Sequence, residues 1–353
     1  MNYTAALIGT GRIGFSLGFD KKREQPASHT MALLQNKKID LIAGCDSDEE
    51  KLDAWKNFVS KKSHRKDIKT FQTSESLFAS VHPDIVTVAV NENSHLSECI
   101  NAINSKPKLV ILEKPVALDS LEAEKIRLAT QKNNVPVMVN HERRFSADYV
   151  AAKEFLSKIG EIQSVKANLF SGLRVYGEKY EASGAYSLLH DGTHLVDIVH
   201  FLTDEELKNP IVTGIFKDEQ GDVRNFEAHF ETKKIPEITV SMSGRSKFFA
   251  FEIDVLGTLG RICVGNGYAK YYLREESKLY SGFYSLTNQK IKLPKKTGYF
   301  SNMIQNAVDF LDGKSTLKSP LEDAIKDLRV LEEIRALLKD ENSASIRSAT
   351  NCR

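Results

Sequence analysis

A short apolar run, Ala5-Ala-Leu-Ile8, ends directly in Gly9-Thr-Gly11-Arg12-Ile13-Gly14, and few features restrict a fold as strongly. In such a G-x-G-x-x-G the first glycine admits a tight turn, the second lets backbone approach a pyrophosphate, and the third lets a helix pack closely on the strand. Strand, turn and helix are therefore expected, with Gly9, Gly11, Arg12, Ile13 and Gly14 cradling a dinucleotide. A second apolar run, Leu41-Ile-Ala-Gly-Cys45, ends at Asp46, an acid placed to accept hydrogen bonds from an adenine ribose. No arginine follows it immediately, so its charge opposes a 2′-phosphate and favours NAD, with NADP as the second possibility. Gly9 and Asp46 lie farther apart than the roughly 20 residues usual for this pairing. The excess is visible in residues 15–27, where Gly18 and Pro26 break a continuous first helix. That stretch reads as an inserted loop over or beside the nucleotide, or as a plain surface loop.

The alternation of strand and helix continues. Asp84-Ile-Val-Thr-Val-Ala-Val90 and Leu109-Val-Ile-Leu112 are apolar runs of the kind buried on both faces of a parallel sheet, and Val135-Pro-Val-Met-Val139 follows them. A helix is expected from Ser94 to Ser105. Asp119 with Glu122 makes a capping-box-like start for another, running through Thr130. This rhythm predicts a doubly wound parallel sheet over residues 1–140.

The pattern changes after Asn140-His-Glu-Arg-Arg-Phe145. Helices are expected over 147–157, 190–202, 301–311 and 320–339. The strands between them alternate with period two: Phe226, Ala228 and Phe230; Ile238, Val240 and Met242; Phe249, Phe251, Ile253 and Val255. Residues 141–340 thus read as an α+β domain with a large, mostly antiparallel sheet, one face under helices and the other open, and 341–353 as a polar tail. An open face of that size suits a second subunit, so a homodimer or homotetramer through the sheet is expected.

At 353 residues the chain exceeds one ordinary core, which agrees with two domains. Its formal net charge of +2 gives no electrostatic support for nucleic-acid or membrane-surface binding. The basic run Lys61-Lys62-Ser-His-Arg65-Lys66 reads as a solvated loop ahead of a strand. The four cysteines, Cys45, Cys99, Cys263 and Cys352, form no C-x-x-C pair, which argues against a zinc site or disulfide framework and fits a reducing interior. Neither a signal-like amino terminus nor an apolar run near ~20 residues is present, so a soluble, cytoplasmic protein is expected.

Two stretches carry chemistry. Glu113-Lys114-Pro115 puts a lysine at the carboxyl end of an apolar strand, the edge where ligands sit in doubly wound sheets. His190-Asp191-Gly192-Thr-His194-Leu-Val-Asp197 places His190 and His194 on one helical face, with carboxylates three residues either side of His194. Gly192 leaves space for another group to approach. Zinc binding by the histidine pair lacks a third ligand, so no metal is expected. His200, in an apolar run, reads as a packing residue. Arg174, Tyr176 and Tyr180, in the long segment 171–187, are candidates for contacting a polyhydroxylated substrate through planar rings and fork-like donors, or are ordinary loop packing.

G-x-G-R-I-G, the acid ending the second strand, His95 opening a helix, Glu113-Lys114-Pro115, Asn140-His-Glu-Arg-Arg-Phe145 and Gly192-x-His194-x-x-Asp197 together resemble the glucose-fructose oxidoreductase/inositol dehydrogenase (Gfo/Idh/MocA) family. The similarity spans nearly the whole chain, including Glu252-Ile-Asp-Val-Leu-Gly257-Thr-Leu-Gly260. It implies a Rossmann domain binding NAD or NADP with help from Asn91, His95 and Glu113. It further implies catalysis by Lys114 and His194 at the reacting carbon of a sugar, cyclitol or nucleotide-linked sugar. The chain departs from the family in two places. Where an aspartate often precedes the helix histidine by four residues, this chain has His190, with Asp191 one place later. Where a Thr-Pro-Asn-like stretch is usual, it has Val90-Asn91-Glu92. The same scaffold also serves as a non-catalytic NAD-binding sensor or co-regulator, or as an NAD-using glycosidase, and both stay open as alternatives.

Overall fold

The computed structural model describes residues 2–172, 175–177 and 187–339. The chain divides into two compact units, Met1–Ser146 with Lys296–Ile325 and Ala147–Lys295 with Lys326–Arg353. The expected break at 140 therefore moves to 146, and the second domain is not one continuous segment.

The first unit is built on strands β1 (Tyr3–Ile8), β2 (Ile39–Cys45), β3 (Lys69–Phe71), β4 (Ile85–Val88), β5 (Leu109–Leu112) and β6 (Val137–Val139). They are ordered β3-β2-β1-β4-β5-β6 with every neighbouring pair parallel, the strand order of a Rossmann sheet. β4 and β5 are buried throughout, as their uncharged sequences require. Helices α1 (His29–Gln35), α2 (Glu49–Ser63), α3 (Ser74–Ser80), α4 (His95–Asn104) and α5 (Ser120–Asn133) connect the strands. The expected cap of α5 is present: Asp119 accepts the N–H of Glu122, whose carboxylate reaches back to Leu118 N. Lys61 and Lys62 correct the loop expectation, because they lie in the last turn of α2, where cations suit the exposed carbonyls.

Residues 15–27 leave the dinucleotide-binding helix and return to it in register. Phe15 N donates to Gly11 O (2.9 Å), the chain departs through a 3-10 turn at Ser16–Phe19, and α1 then begins after Ser28. His29 N donates to Ile13 O (3.1 Å) and Thr30 N to Gly14 O (2.9 Å), the bonds that residues 17 and 18 would make in an unbroken helix. The excursion is packed down at both sides. Phe15 and Phe19 meet Phe58 of α2 with ring centroids 5.2 and 5.3 Å apart, and the Glu24 carboxylate accepts Thr297 N (2.7 Å) and Gly298 N (2.6 Å).

The core of this unit also takes in the returning segment. Helix Tyr299–Leu311 contributes Phe300, Met303, Ile304, Ala307 and Val308 to a cluster containing Leu7, Leu33, Ile85 and Ile111. Arg144, almost fully buried, holds the same segment by donating to Lys318 O (3.0 Å) and Asp323 (2.6 Å).

The second unit carries an eight-stranded sheet: β7 (Ile162–Phe170), β8 (Ile211–Lys217), β9 (Val223–Phe230), β10 (Glu237–Ser243), β11 (Ala250–Gly257), β12 (Gly260–Gly265), β13 (Tyr268–Glu276) and β14 (Tyr284–Gln289). The order is β14-β13-β12-β11-β7-β10-β9-β8, and only β7 with β10 is parallel. Along β11, Phe251, Ile253 and Val255 are buried while Glu252 and Asp254 on the other face are half-buried, which is the expected alternation. Helices α6 (Ala147–Phe155), α7 (Ser187–His190) and α8 (Gly192–Thr203) belong to this unit; α6 and α8 pack on the buried face of the sheet. The helix expected over 190–202 is therefore two pieces, with His190 ending α7 and Asp191 standing at the N-cap position of α8 without a side-chain bond to its first turn. Helices α9 (Tyr299–Leu311) and α10 (Leu321–Lys339) complete the described chain. No described helix is long and apolar enough to cross a membrane.

Candidate active site

The glycines of the first turn have separate geometric reasons. Gly9 has φ +93°, and a Cβ there would lie 2.3 Å from Ala89 O; a Cβ at Gly14 would lie 2.0 Å from Gly9 O. Gly11, by contrast, has nothing within 4 Å of that position. Two glycines are thus demanded by the fold itself, while the middle one leaves open space of the kind a pyrophosphate needs, so the loop fits a dinucleotide. Arg12 is exposed beside it, and Ile13 packs against the core. Asp46 braces the turn by accepting Thr10 N (2.7 Å) and Thr10 Oγ1 (3.1 Å), and its other oxygen accepts Asp48 N (3.0 Å). A carboxylate has about four acceptor positions, so one remains for a ribose hydroxyl. Asn91, just past β4, is exposed at the carboxyl edge of the sheet.

Two cofactor-binding expectations change. The Glu113 carboxylate is 5% exposed and committed internally: Oε1 lies 2.6 Å from His29 Nε2 and 2.6 Å from the Asn140 amide nitrogen, while Oε2 accepts Lys114 N (3.3 Å). Burial pushes its pKa up, but the hydrogen bond and charge of His29, the Asn140 amide and the Lys114 charge outweigh it and bring the group down to about 2. The His95 ring is likewise buried, with Nδ1 2.6 Å from Pro115 O and Nε2 3.2 Å from Val90 O. Burial holds its pKa below the ordinary value, so the neutral ring staples the loops after β4 and β5 rather than facing a cofactor. Lys114 itself is half-buried at the end of β5.

In the second unit, His194 is half-buried on the first turn of α8, its N–H bonded to Asp191 O (3.1 Å). Asp191 is half-buried at the cap and His190 is exposed. Gly192 does not hold space for a ligand: a Cβ there would meet Leu331 at 3.0 Å and the Met242 sulfur at 3.4 Å. His200 is the packing residue expected, with Nδ1 2.6 Å from Asp327 and Nε2 accepting Leu207 N (3.2 Å). Tyr176 corrects the substrate-contact expectation. It is buried, its backbone bridges Val223, and Lys339 Nζ sits 5.9 Å from its ring. Arg174 and Tyr180 lie outside the described residues.

Residues 3–141 match the Gfo/Idh/MocA profile, described as an oxidoreductase family with an NAD-binding Rossmann fold. That similarity covers the dinucleotide-binding stretch alone. The family read from the motifs is thus the one found. Inositol 2-dehydrogenase from Salmonella typhimurium is 23% identical over 216 residues, a match that covers 59% of this chain and 56% of that enzyme. The chain therefore spans little more than half the length of the curated relatives it matches. Among solved structures, a dehydrogenase from Chromobacterium violaceum superposes with a TM-score of 0.77 at 16% identity, covering 95% of both chains. An oxidoreductase from Agrobacterium radiobacter in complex with NAD+, L-tartaric acid and magnesium gives 0.71 at 18%, covering 94% of this chain and 95% of that one. These structural likenesses are likenesses of fold, and they cover both units.

His29 and Asn140 are the polar residues that the motifs did not single out for a role. His29 carries no local signal, because the excursion separates it from the glycines. Asn140 stands at the end of a strand, where its reach to Glu113 depends on the neighbouring strand.

Proposed function

We propose that the chain is an NAD-dependent oxidoreductase interconverting a secondary alcohol and a carbonyl on a sugar, cyclitol or nucleotide-linked sugar. The observation that carries this reading is Lys114 at the carboxyl end of β5, its backbone tied through Glu113 to His29, whose own N–H is bonded to Ile13 O in the dinucleotide turn. When bound, the nicotinamide supplies the hydride acceptor or donor. Gly9, Gly11 and Gly14 hold the pyrophosphate, and Asp46 accepts a ribose hydroxyl and disfavours a 2′-phosphate. Lys114 donates a hydrogen bond to the substrate oxygen and stabilises negative charge developing on it. His194 takes or returns the hydroxyl proton, with Asp191 or His190 tuning its charge. Inositol 2-dehydrogenase among the relatives makes myo-inositol the first substrate to try.

The experiment is a panel of inositols, sugars and nucleotide sugars followed at the nicotinamide absorbance with NAD and with NADP. NAD-linked turnover of a polyol, with NADP at least about tenfold less effective, is the expected result. NADH binding with no turnover of any panel member would leave a sensor, and sugar release without net absorbance change would indicate a glycosidase.

We also assign the open face of the eight-stranded sheet to a second copy of the chain, as a homodimer or homotetramer. Its support is the half-buried row of Glu252, Asp254, Asn168 and His229 on the face opposite the buried Phe251, Ile253 and Ala167.

A further inference from the structure

The proposed chemistry leaves the polar cluster next to Lys114 without a role. His29 opens α1 and is 0% exposed, its ring packed edge-on against Phe300 of α9 with centroids 5.1 Å apart. His29 Nε2 and the Asn140 amide converge on one oxygen of Glu113, each at 2.6 Å. Each does so at a cost to itself, since His29 Nδ1 and Asn140 Oδ1 are buried without a hydrogen-bond partner. A core selected for stability alone would avoid both orphaned atoms and the buried carboxylate, because apolar side chains of similar volume commonly serve as well. The arrangement makes sense if the carboxylate is what must be kept. Its second oxygen accepts the backbone N–H of Lys114. The charged and titratable groups acting on Glu113 are His29 from α1 and Lys114 beside it, and the His95 ring of α4, close to Glu92, feels its charge in turn.

We propose that His29 is a positioning residue for Lys114, acting through Glu113 to fix the backbone N–H from which the lysine extends and to keep a shared negative charge beside its ammonium group. This inference rests on the proposed role of Lys114. With the imidazole donor in place, Glu113 divides its charge among the imidazole, the Asn140 amide and Lys114. Without it, the same carboxylate pulls harder on Lys114 near neutral pH and takes up a proton in mild acid.

The test compares His29→Leu, which fills the volume without a donor, with His29→Gln, whose amide nitrogen reaches about as far as Nε2. Full-length protein is pulsed with acetic anhydride at pH 8 and Lys114 acetylation is read by mass spectrometry. In parallel, NAD-dependent oxidation of myo-inositol, or of the fastest polyol in the panel, is measured across pH. In His29→Leu, Lys114 acetylation is expected to slow at least about threefold and kcat to fall about 10–100-fold with KM for NAD within about twofold. A new acid limb is expected near pH 5–6, and His29→Gln should recover most of each effect. If His29→Leu does not fold, His29→Asn, polar but too short to reach Glu113, takes its place. Wild-type acetylation and pH profile in the Leu or Asn variant, with only a lower melting temperature, would show a purely structural histidine and overturn the proposal. So would a Gln variant no better than Leu. If the wild-type protein oxidises no polyol, the proposed function fails separately, and the acetylation comparison still decides the role of His29.

Discussion

Glu113 and Lys114 are neighbours in sequence with opposite environments. The carboxylate is sealed in and held by three hydrogen-bond partners, and the lysine stands half-buried at the sheet edge. Replacing Lys114 with alanine removes the proposed donor to the substrate oxygen but none of the dinucleotide turn. Turnover should fall about 10²–10⁴-fold with NADH affinity, measured by fluorescence titration, changed little. The Glu113 pKa, depressed from 4.5 to about 2, also makes a stability statement. A carboxylate whose folded pKa is depressed contributes stability that is fully present above the unfolded value and is lost as pH falls through the folded one. The window is therefore pH 4.5 down to about 2, and the contribution is of order a few kcal/mol. Urea melts at pH 3, 4 and 6 should show Glu113→Gln destabilised at pH 6, with a flatter dependence than wild type below pH 4.5. Parallel curves for the two proteins would contradict the assignment.

At the scale of elements, the excursion at residues 15–27 acts as a clamp. Gly298 stands at the N-cap of α9 with no side chain to cap it, and Glu24 accepts the N–H groups of Thr297 and Gly298 just ahead of the first turn. Glu24→Ala should cost about 1 kcal/mol, and Glu24→Gln roughly half as much, since it keeps the acceptor but not the charge facing the helix dipole. Differential scanning calorimetry would register the alanine variant as a drop of about 2 °C. The same element shows what local sequence can and cannot convey. Uninterrupted apolar runs marked β4 and β5, glycine spacing marked the turn, and Asp119 with Glu122 marked the start of α5, because each of these is decided within a few residues. The reason for a glycine at 192 was hidden because Leu331 and Met242, remote in sequence, crowd the position of its Cβ. Tyr176 and His95 looked available for ligands because a polar side chain does not announce whether its neighbours will bury it. The role of His29 could not be seen without the register across the excursion.

At the scale of the molecule, the large sheet is the surface on which assembly is proposed. Asn168, half-buried on the central strand β7, alternates with buried Ala167 and Leu169 and so belongs to the open face. If that face joins two copies, light scattering at micromolar concentration should give a dimer or tetramer. Asn168→Arg should reduce the mass toward that of a single chain without lowering its helix content. A monomeric wild type would remove the assignment.

The first unit takes in Met1–Ser146 but draws on Lys296–Ile325 for part of its core, with Phe300, Met303 and Ile304 packed against Leu33 and Ile85. During synthesis, the nucleotide-binding strands leave the ribosome long before those residues exist. For that interval the surface destined for α9 stays wet, and the amino-terminal half expressed by itself is expected to aggregate more readily than the full chain. The protein cannot mature one domain at a time, because its earliest-made unit waits for nearly its last-made helix.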